Sequence, residues 1–294
     1  MQISANGVAL EVEDHGSASG EPLVLIMGLG MQLVGWHEGL VARLVGKGFR
    51  VIRFDNRDIG LSQRFDHLGV PNLAIDAFRH TVGMAVRSPY TLADLADDTA
   101  ALIDAMGLKR AHVCGASMGG MVAQHLAVRH PQRVSSLTLM MTTSGARSLP
   151  QPGWKVQMAM LSRPKSPGDI DSIVDHYARI YRLIGSPAYP PADAWLRDRL
   201  ALSTRRSHRP AAVARQLVAI AADGDRTPLL ARITAPTQVI HGLADPLVPV
   251  DAGRDLARRI AGTKIDLIEG MGHDLPEPLW PRFADDIAAV AARA

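Results

Sequence analysis

One pentapeptide constrains this chain more than any other stretch: Gly115-Ala116-Ser117-Met118-Gly119. A short apolar run, Ala111-His112-Val113-Cys114, precedes it, and Met121 to Ala127 follow with helical spacing. Strand, G-x-S-x-G, helix is the setting in which this pattern forms a nucleophile elbow. The turn is so sharp that the serine backbone is strained and its neighbours must be small. Gly115 and Gly119 meet that demand, and Gly120 lets the following helix approach the sheet. The serine hydroxyl is then exposed at the tip of a strand, on the positive end of a helix. Taken alone, the same five residues describe a glycine-rich turn that contains a serine, so the rest of the chain must decide.

The elements around the pentapeptide alternate. Asn6-Gly7 lies between two strand-like runs and signals a hairpin. Leu23 to Met27 is continuously apolar, as a strand covered on both faces requires, and ends in Gly28-Leu29-Gly30. A helix follows through Leu40, Val41, Leu44 and Val45, then a strand at Arg50 to Phe54, then Asp55-Asn56-Arg57-Asp58-Ile59-Gly60-Leu61-Ser62. The stretch up to Tyr90 reads as polar and irregular. Thr91 to Met106 reads as a helix, framed by Thr91 and Asp94 at its start and Gly107 at its end. Ser136 to Met141, Thr237 to Gly242 and Lys264 to Ile268 are further strands. Val250 to Ile260 and the segment after Pro278 are helical. Strand and helix in alternation predict a mostly parallel sheet with helices on both faces.

Between residues 146 and 232 only helical patterns occur. One helix is expected to start at Pro167 and to bury Ile170, Ile173, Val174, Tyr177, Ile180, Tyr181 and Ile184. Another starts at Pro210, with Val213, Leu217 and Ile220 inward. The expected organisation is a core of residues 1–145 and 233–294 with a helical cap at 146–232. Trp154, Met158, Met160, Tyr177, Tyr181 and Trp195 are candidates for lining an apolar pocket under it, or for plain core.

Composition narrows the function. The formal net charge of the 294 residues is only +3, so nucleic acid is not an expected partner. The most basic cluster, Arg205, Arg206, His208 and Arg209, reads as a solvated helix end. Cys114 is the single cysteine, which rules out an internal disulfide and reads as a buried small hydrophobe. No apolar stretch is long enough to span a bilayer and no leader is evident, so no membrane partner and a cytoplasmic location are expected. No Cys/His cluster and no dinucleotide fingerprint is present, so neither metal nor organic cofactor is expected.

A serine hydroxyl needs a base within hydrogen-bond reach, and the base needs an orienting carboxylate. His273 and Asp245 fit. Each lies in a turn just after a predicted parallel strand, on the carboxyl edge where such sheets bind ligands. The order serine, aspartate, histidine along the chain is the one this architecture uses.

With these residues assembled, the chain resembles the α/β-hydrolase fold superfamily: a mostly parallel, eight-stranded sheet flanked by helices, with a helical cap insertion. Ile240 to Pro249 is similar to that family's acid loop, and Gly270-Met271-Gly272-His273 to its histidine loop. Asp55 to Ser62 is similar to its D-x-R-G-x-G-x-S stretch, with Asp58 where glycine is usual, and reads as a structural brace. Within the superfamily, Met27 to Gly30 and Asn56 to Gly60 most resemble aclacinomycin methylesterase-like bacterial esterases. The resemblance implies Ser117 as nucleophile, His273 as base and Asp245 as its partner, with an oxyanion hole from the backbone N–H groups of Leu29 and Met118. The implied reaction is hydrolysis of a small carboxylic ester, expected to carry an apolar part. Lactone hydrolysis, C–C bond hydrolysis and perhydrolysis use the same groups, and a small-molecule receptor on this fold is the non-enzymatic alternative.

Overall fold

The computed structural model describes residues 1–294, apart from the side chain of His80. In chain order the elements are β1 (Gln2–Ala5), β2 (Val8–His15), β3 (Glu21–Ile26), α1 (Glu38–Gly46), β4 (Phe49–Phe54), α2 (Leu73–Thr81), α3 (Leu92–Ala105), β5 (Ala111–Ala116), α4 (Met118–Arg129) and β6 (Val134–Met140). They continue with α5 (Trp154–Leu161), α6 (Ile170–Ile184), α7 (Asp193–Arg206), α8 (Pro210–Asp223), α9 (Thr227–Leu230), β7 (Thr237–Gly242), α10 (Asp251–Arg259), β8 (Lys264–Ile268) and α11 (Trp280–Ala291).

The strands form one eight-stranded sheet in the order β1-β2-β4-β3-β5-β6-β7-β8. The β1–β2 and β2–β4 pairings are antiparallel and the rest are parallel. The first hairpin turns at Asn6 and Gly7, both with positive φ, as a two-residue turn between right-twisted strands requires. β5, β6 and β7 are buried along their whole length. Their continuous apolar character follows, because helices cover both sides.

Two cores result. Val24 and Ile26 of β3 join Leu95, Leu102, Val122, Leu126 and Leu256 of α3, α4 and α10. Leu23 and Leu25, pointing to the other face, join Leu40, Leu44, Phe283 and Ile287 of α1 and α11. The period-two alternation of one strand thus feeds both layers.

Thr91 and Asp94 form the reciprocal cap predicted for α3, and Gly107 follows with φ 72°. Three expectations need correction. Residues 73–81, read as irregular, form α2. Its Ile75 and Phe78 are exposed, so no core-facing period marks it. The helix expected from Pro167 begins at Ile170 instead, because the Asp169 carboxylate accepts the N–H groups of Asp171 and Ser172 and so caps it there. On α8 the buried residues are Ala212, Arg215, Gln216, Val218 and Ala219, while Val213, Leu217 and Ile220 are only half-buried. Polar partners in the core draw Arg215 and Gln216 inward, which apolar spacing cannot foresee.

Every regular element between β6 and β7, from α5 to α9, is helical. Trp154 and Met158 on α5 are exposed and belong to no core. No helix among the described residues is long and apolar enough to cross a membrane.

Candidate active site

Ser117 sits between β5 and α4 with φ 55° and ψ −121°. A non-glycine residue in that region is strained, and the packing explains why it persists. A Cβ on Gly119 would strike the Ile26 carbonyl of β3, and one on Gly115 would strike the Gly119 backbone. Any larger residue would push helix and strand apart. Ser117 N–H donates to the Met140 carbonyl (2.9 Å), and Thr142 Oγ1 donates to the Ser117 carbonyl (2.7 Å). The strained turn is therefore held from β6 as well.

The loops after β7 and β8 bring Asp245 and His273 to the same spot. His273 Nε2 lies 3.0 Å from Ser117 Oγ, and His273 Nδ1 lies 2.7 Å from Asp245 Oδ2. Asp245 is buried, and its Oδ1 accepts the N–H groups of Leu247 (2.9 Å) and Val248 (2.8 Å). With Oδ1 occupied, Oδ2 is left for the imidazole. An ionised carboxylate only accepts, so Nδ1 carries the proton and Nε2 presents its lone pair to the serine hydroxyl.

The histidine loop is fixed from the insertion. His273 N–H donates to the Ile184 carbonyl at the end of α6 (2.7 Å), and Gly272 N–H donates to Ser186 Oγ (2.9 Å). Ser186 Oγ in turn donates to Asp274, whose burial raises its pKa above the usual carboxylate range. Behind Asp245, His241 Nε2 donates to the Val248 carbonyl (2.8 Å). Burial pulls the His241 pKa below its ordinary value.

Met118 follows Ser117 in the chain, and Leu29 follows Gly28, which packs against the serine. Among the described residues, neither N–H donates to a protein acceptor. Gly28 makes that arrangement possible: a Cβ there would lie 3.2 Å from the serine Cβ. The loop that carries Leu29 is braced at both ends. Asn56 Nδ2 donates to the Met27 carbonyl (3.0 Å), and Leu33 N–H donates to Asp55 Oδ1 (2.7 Å). Burial raises the Asp55 pKa, partly offset by the N–H groups of Leu33 and Leu61 and by Arg206.

The stretch Asp55 to Ser62 is the brace expected of it, and each of its charges has a partner. Asp55 Oδ2 meets Arg206 (2.7 Å), Arg57 meets Asp98 through two bonds of 2.6 Å, and Asp58 meets Arg215 (2.6 and 3.0 Å). Asp58, at the position where the family has glycine, adopts φ 71°. Arg206 and Arg209, read as a solvated helix end, are instead tied to this stretch, Arg209 through the carbonyls of Asp58 and Ser62. Isolated clusters of basic residues carry no sign of distant partners, hence the misreading.

Gln32 and Gln216 went unnoticed in the sequence. Gln32 Nε2 donates to Ser203 and Ser207 at the end of α7, and Gln216 Oε1 accepts the Gly30 N–H (2.9 Å). Their partners lie more than 170 residues away, so no local pattern marks them. Among the described residues, no group of three or more His, Cys, Asp or Glu side chains is placed to hold a metal ion.

A cavity of about 590 Å³ lies elsewhere. Glu21, Phe49, His112 and Ser135 line it, at the amino ends of their strands and so on the sheet edge opposite Ser117. Ligands of open parallel sheets bind at the carboxyl edge, the edge that carries Ser117.

Known proteins resemble this chain over nearly its whole length. Rhodomycin D methylesterase DauP of Streptomyces sp. (strain C5) is 28% identical over 305 residues, covering 98% of this chain and 96% of that protein. DnrP of Streptomyces peucetius, named for the same activity, is 28% identical over 306 residues with equal coverage. The solved structure of the meta-cleavage product hydrolase CumD from Pseudomonas fluorescens IP01 superposes with a TM-score of 0.76 at 18% identity, covering 100% of this chain and 97% of that one, which supports the fold. The family model described as alpha/beta hydrolase fold matches residues 21–277, from the first strand of the parallel sheet to beyond the histidine loop, and the chain belongs to that family.

Proposed function

We propose that the protein is a serine hydrolase that cleaves a carboxylic ester of methylester or similar type. The observation that carries this reading is the chain of contacts from Asp245 through His273 to Ser117, 2.7 and 3.0 Å long, beside two unpartnered backbone N–H groups. Similarity to two methylesterases over nearly the full length supports the ester as substrate.

In this reading His273 Nε2 takes the Ser117 proton as Oγ attacks the ester carbonyl. The carbonyl oxygen becomes an oxyanion between the N–H groups of Leu29 and Met118. Donors placed before the reaction cost no reorganisation as charge develops, and losing one typically slows turnover about 100- to 1,000-fold. Asp245 holds the Nδ1–H tautomer and stabilises the imidazolium. His273 then protonates the leaving alcohol, and water activated by the same nitrogen releases the acid from the acyl-enzyme. Residues 146–232 act as a cap over the serine, and an apolar part of the substrate would seat beneath it.

A p-nitrophenyl ester series of increasing acyl length, run on wild type and Ser117→Ala, tests the reading. Wild-type turnover that falls by about 10,000-fold or more in the variant is expected. Turnover that survives the substitution would remove Ser117 from the reaction.

A further inference from the structure

The loop that carries Leu29 is hydrogen-bonded to the stretch after β4 at residues 27 and 33, and Leu29 and Met31 between them pack against the two apolar cores. Its middle is a four-residue turn, Gly28 to Met31, closed by Met31 N–H donating to the Gly28 carbonyl (3.1 Å). Gly30 is the third residue of the turn, with φ 66°. Positive φ there marks the type II form, which differs from type I by a flip of the central peptide, here Leu29–Gly30. That peptide's N–H is the one Gln216 accepts.

Gln216 is fully buried on α8. A backbone N–H can only donate, so the amide oxygen must face Gly30. Its Nε2 is then left without a partner, which is costly for a buried donor. One turn earlier on the same helix, Val213 packs on Gly30 so closely that a Cβ there would lie 2.9 Å from its methyl carbon. Two contacts from a single helix therefore meet the same residue of the turn. At residue 32 the loop is gripped again, by Ser203 and Ser207 at the end of α7.

We infer that Gln216 is a positioning residue: by accepting the Gly30 N–H it locks the turn whose second residue, Leu29, supplies the oxyanion donor. The cap and the oxyanion loop then form one mechanical unit. The hole is complete when α8 is seated and loosens when α8 lifts. The inference rests on Leu29 being an oxyanion donor, as proposed above.

Gln216→Met keeps the shape and deletes the acceptor. Gln216→Glu keeps an acceptor for Gly30. Each is assayed with a p-nitrophenyl ester and normalised to the serine labelled by a fluorophosphonate. A trifluoromethyl ketone, which adds to the serine as a tetrahedral oxyanion, reports on the hole itself. The methionine variant is expected to lose about 10- to 100-fold in kcat with KM little changed, to weaken ketone inhibition by the same factor, and to be largely rescued in the glutamate variant. Unchanged kcat per labelled serine, or lost kcat with full ketone affinity, would overturn the inference. If the methionine variant does not fold, hydrogen exchange on wild type decides. A protected Gly30 amide supports the lock, and an amide that exchanges as freely as an exposed loop overturns it. Ser117→Ala is run in parallel. Its survival would defeat the reading of the site, whereas an inactive Ser117→Ala beside an unaffected Gln216→Met defeats only the inference.

Discussion

Asp245 divides its two oxygens between different tasks. Oδ1 takes two backbone N–H groups of its own loop and Oδ2 takes the imidazole. Asp245→Asn should therefore keep the fold of the loop while presenting an N–H donor to His273 where an acceptor is needed. The imidazole would adopt the other tautomer and turn Nε2–H toward the serine. Loss of about 10,000-fold in kcat, with a melting temperature near wild type, is the expected outcome of ester assay and thermal melt. The three residues at this scale were legible because each has a local mark: a glycine-flanked serine, an aspartate before proline, a histidine after Gly-Met-Gly. Gln216 and Gln32 have no such mark. Their importance comes from contacts across the fold.

At the scale of elements, the stretch after β4 joins sheet to insertion. Asp58 and Arg215 are both almost fully buried and meet through two hydrogen bonds, with Tyr90 donating to the same carboxylate (3.2 Å). Burial and the Asp58 carboxylate push the Tyr90 hydroxyl far above its ordinary pKa, so it remains a donor. Removing one member of a buried pair leaves the other charge uncompensated. Arg215→Met should accordingly cost about 3–5 kcal/mol, read as a lowered urea midpoint. An unaltered midpoint would show that water reaches Asp58 freely. Helices with an apolar face toward the sheet, such as α1, α3 and α11, were legible from their spacing. α2 was not, since its large apolar residues face outward. Apolar spacing points to the wrong face of α8, because its buried side includes an arginine and a glutamine.

Across the whole molecule, two cores on opposite faces of one sheet hold the strand ends in register, and the carboxyl edge gathers the serine, aspartate and histidine loops. The fold class was legible from alternation alone, whereas the seating of the insertion depends on long-range ion pairs. One feature of the global stability is pH-dependent. Asp286 on α11 has its pKa raised to about 7 by burial and by the neighbouring Asp266 carboxylate. A pKa raised in the folded state gives stability that is present in full below the unfolded value, 3.8, and is lost as pH rises through about 7. Asp286→Asn should thus flatten the fall in stability between pH 4 and 8, followed by urea melts across that range. An identical fall in both proteins would show that Asp286 ionises freely in the fold.

The central claim is that Ser117 is a nucleophile made reactive by His273. Intact-mass and peptide-mapping analysis of protein treated with a fluorophosphonate, on wild type and His273→Ala, tests it most directly. The expected result is a single adduct on Ser117, ester turnover lost in proportion to labelling, and labelling slowed by orders of magnitude in the variant. An adduct on another residue, or labelling of Ser117 at the same rate without His273, would contradict it.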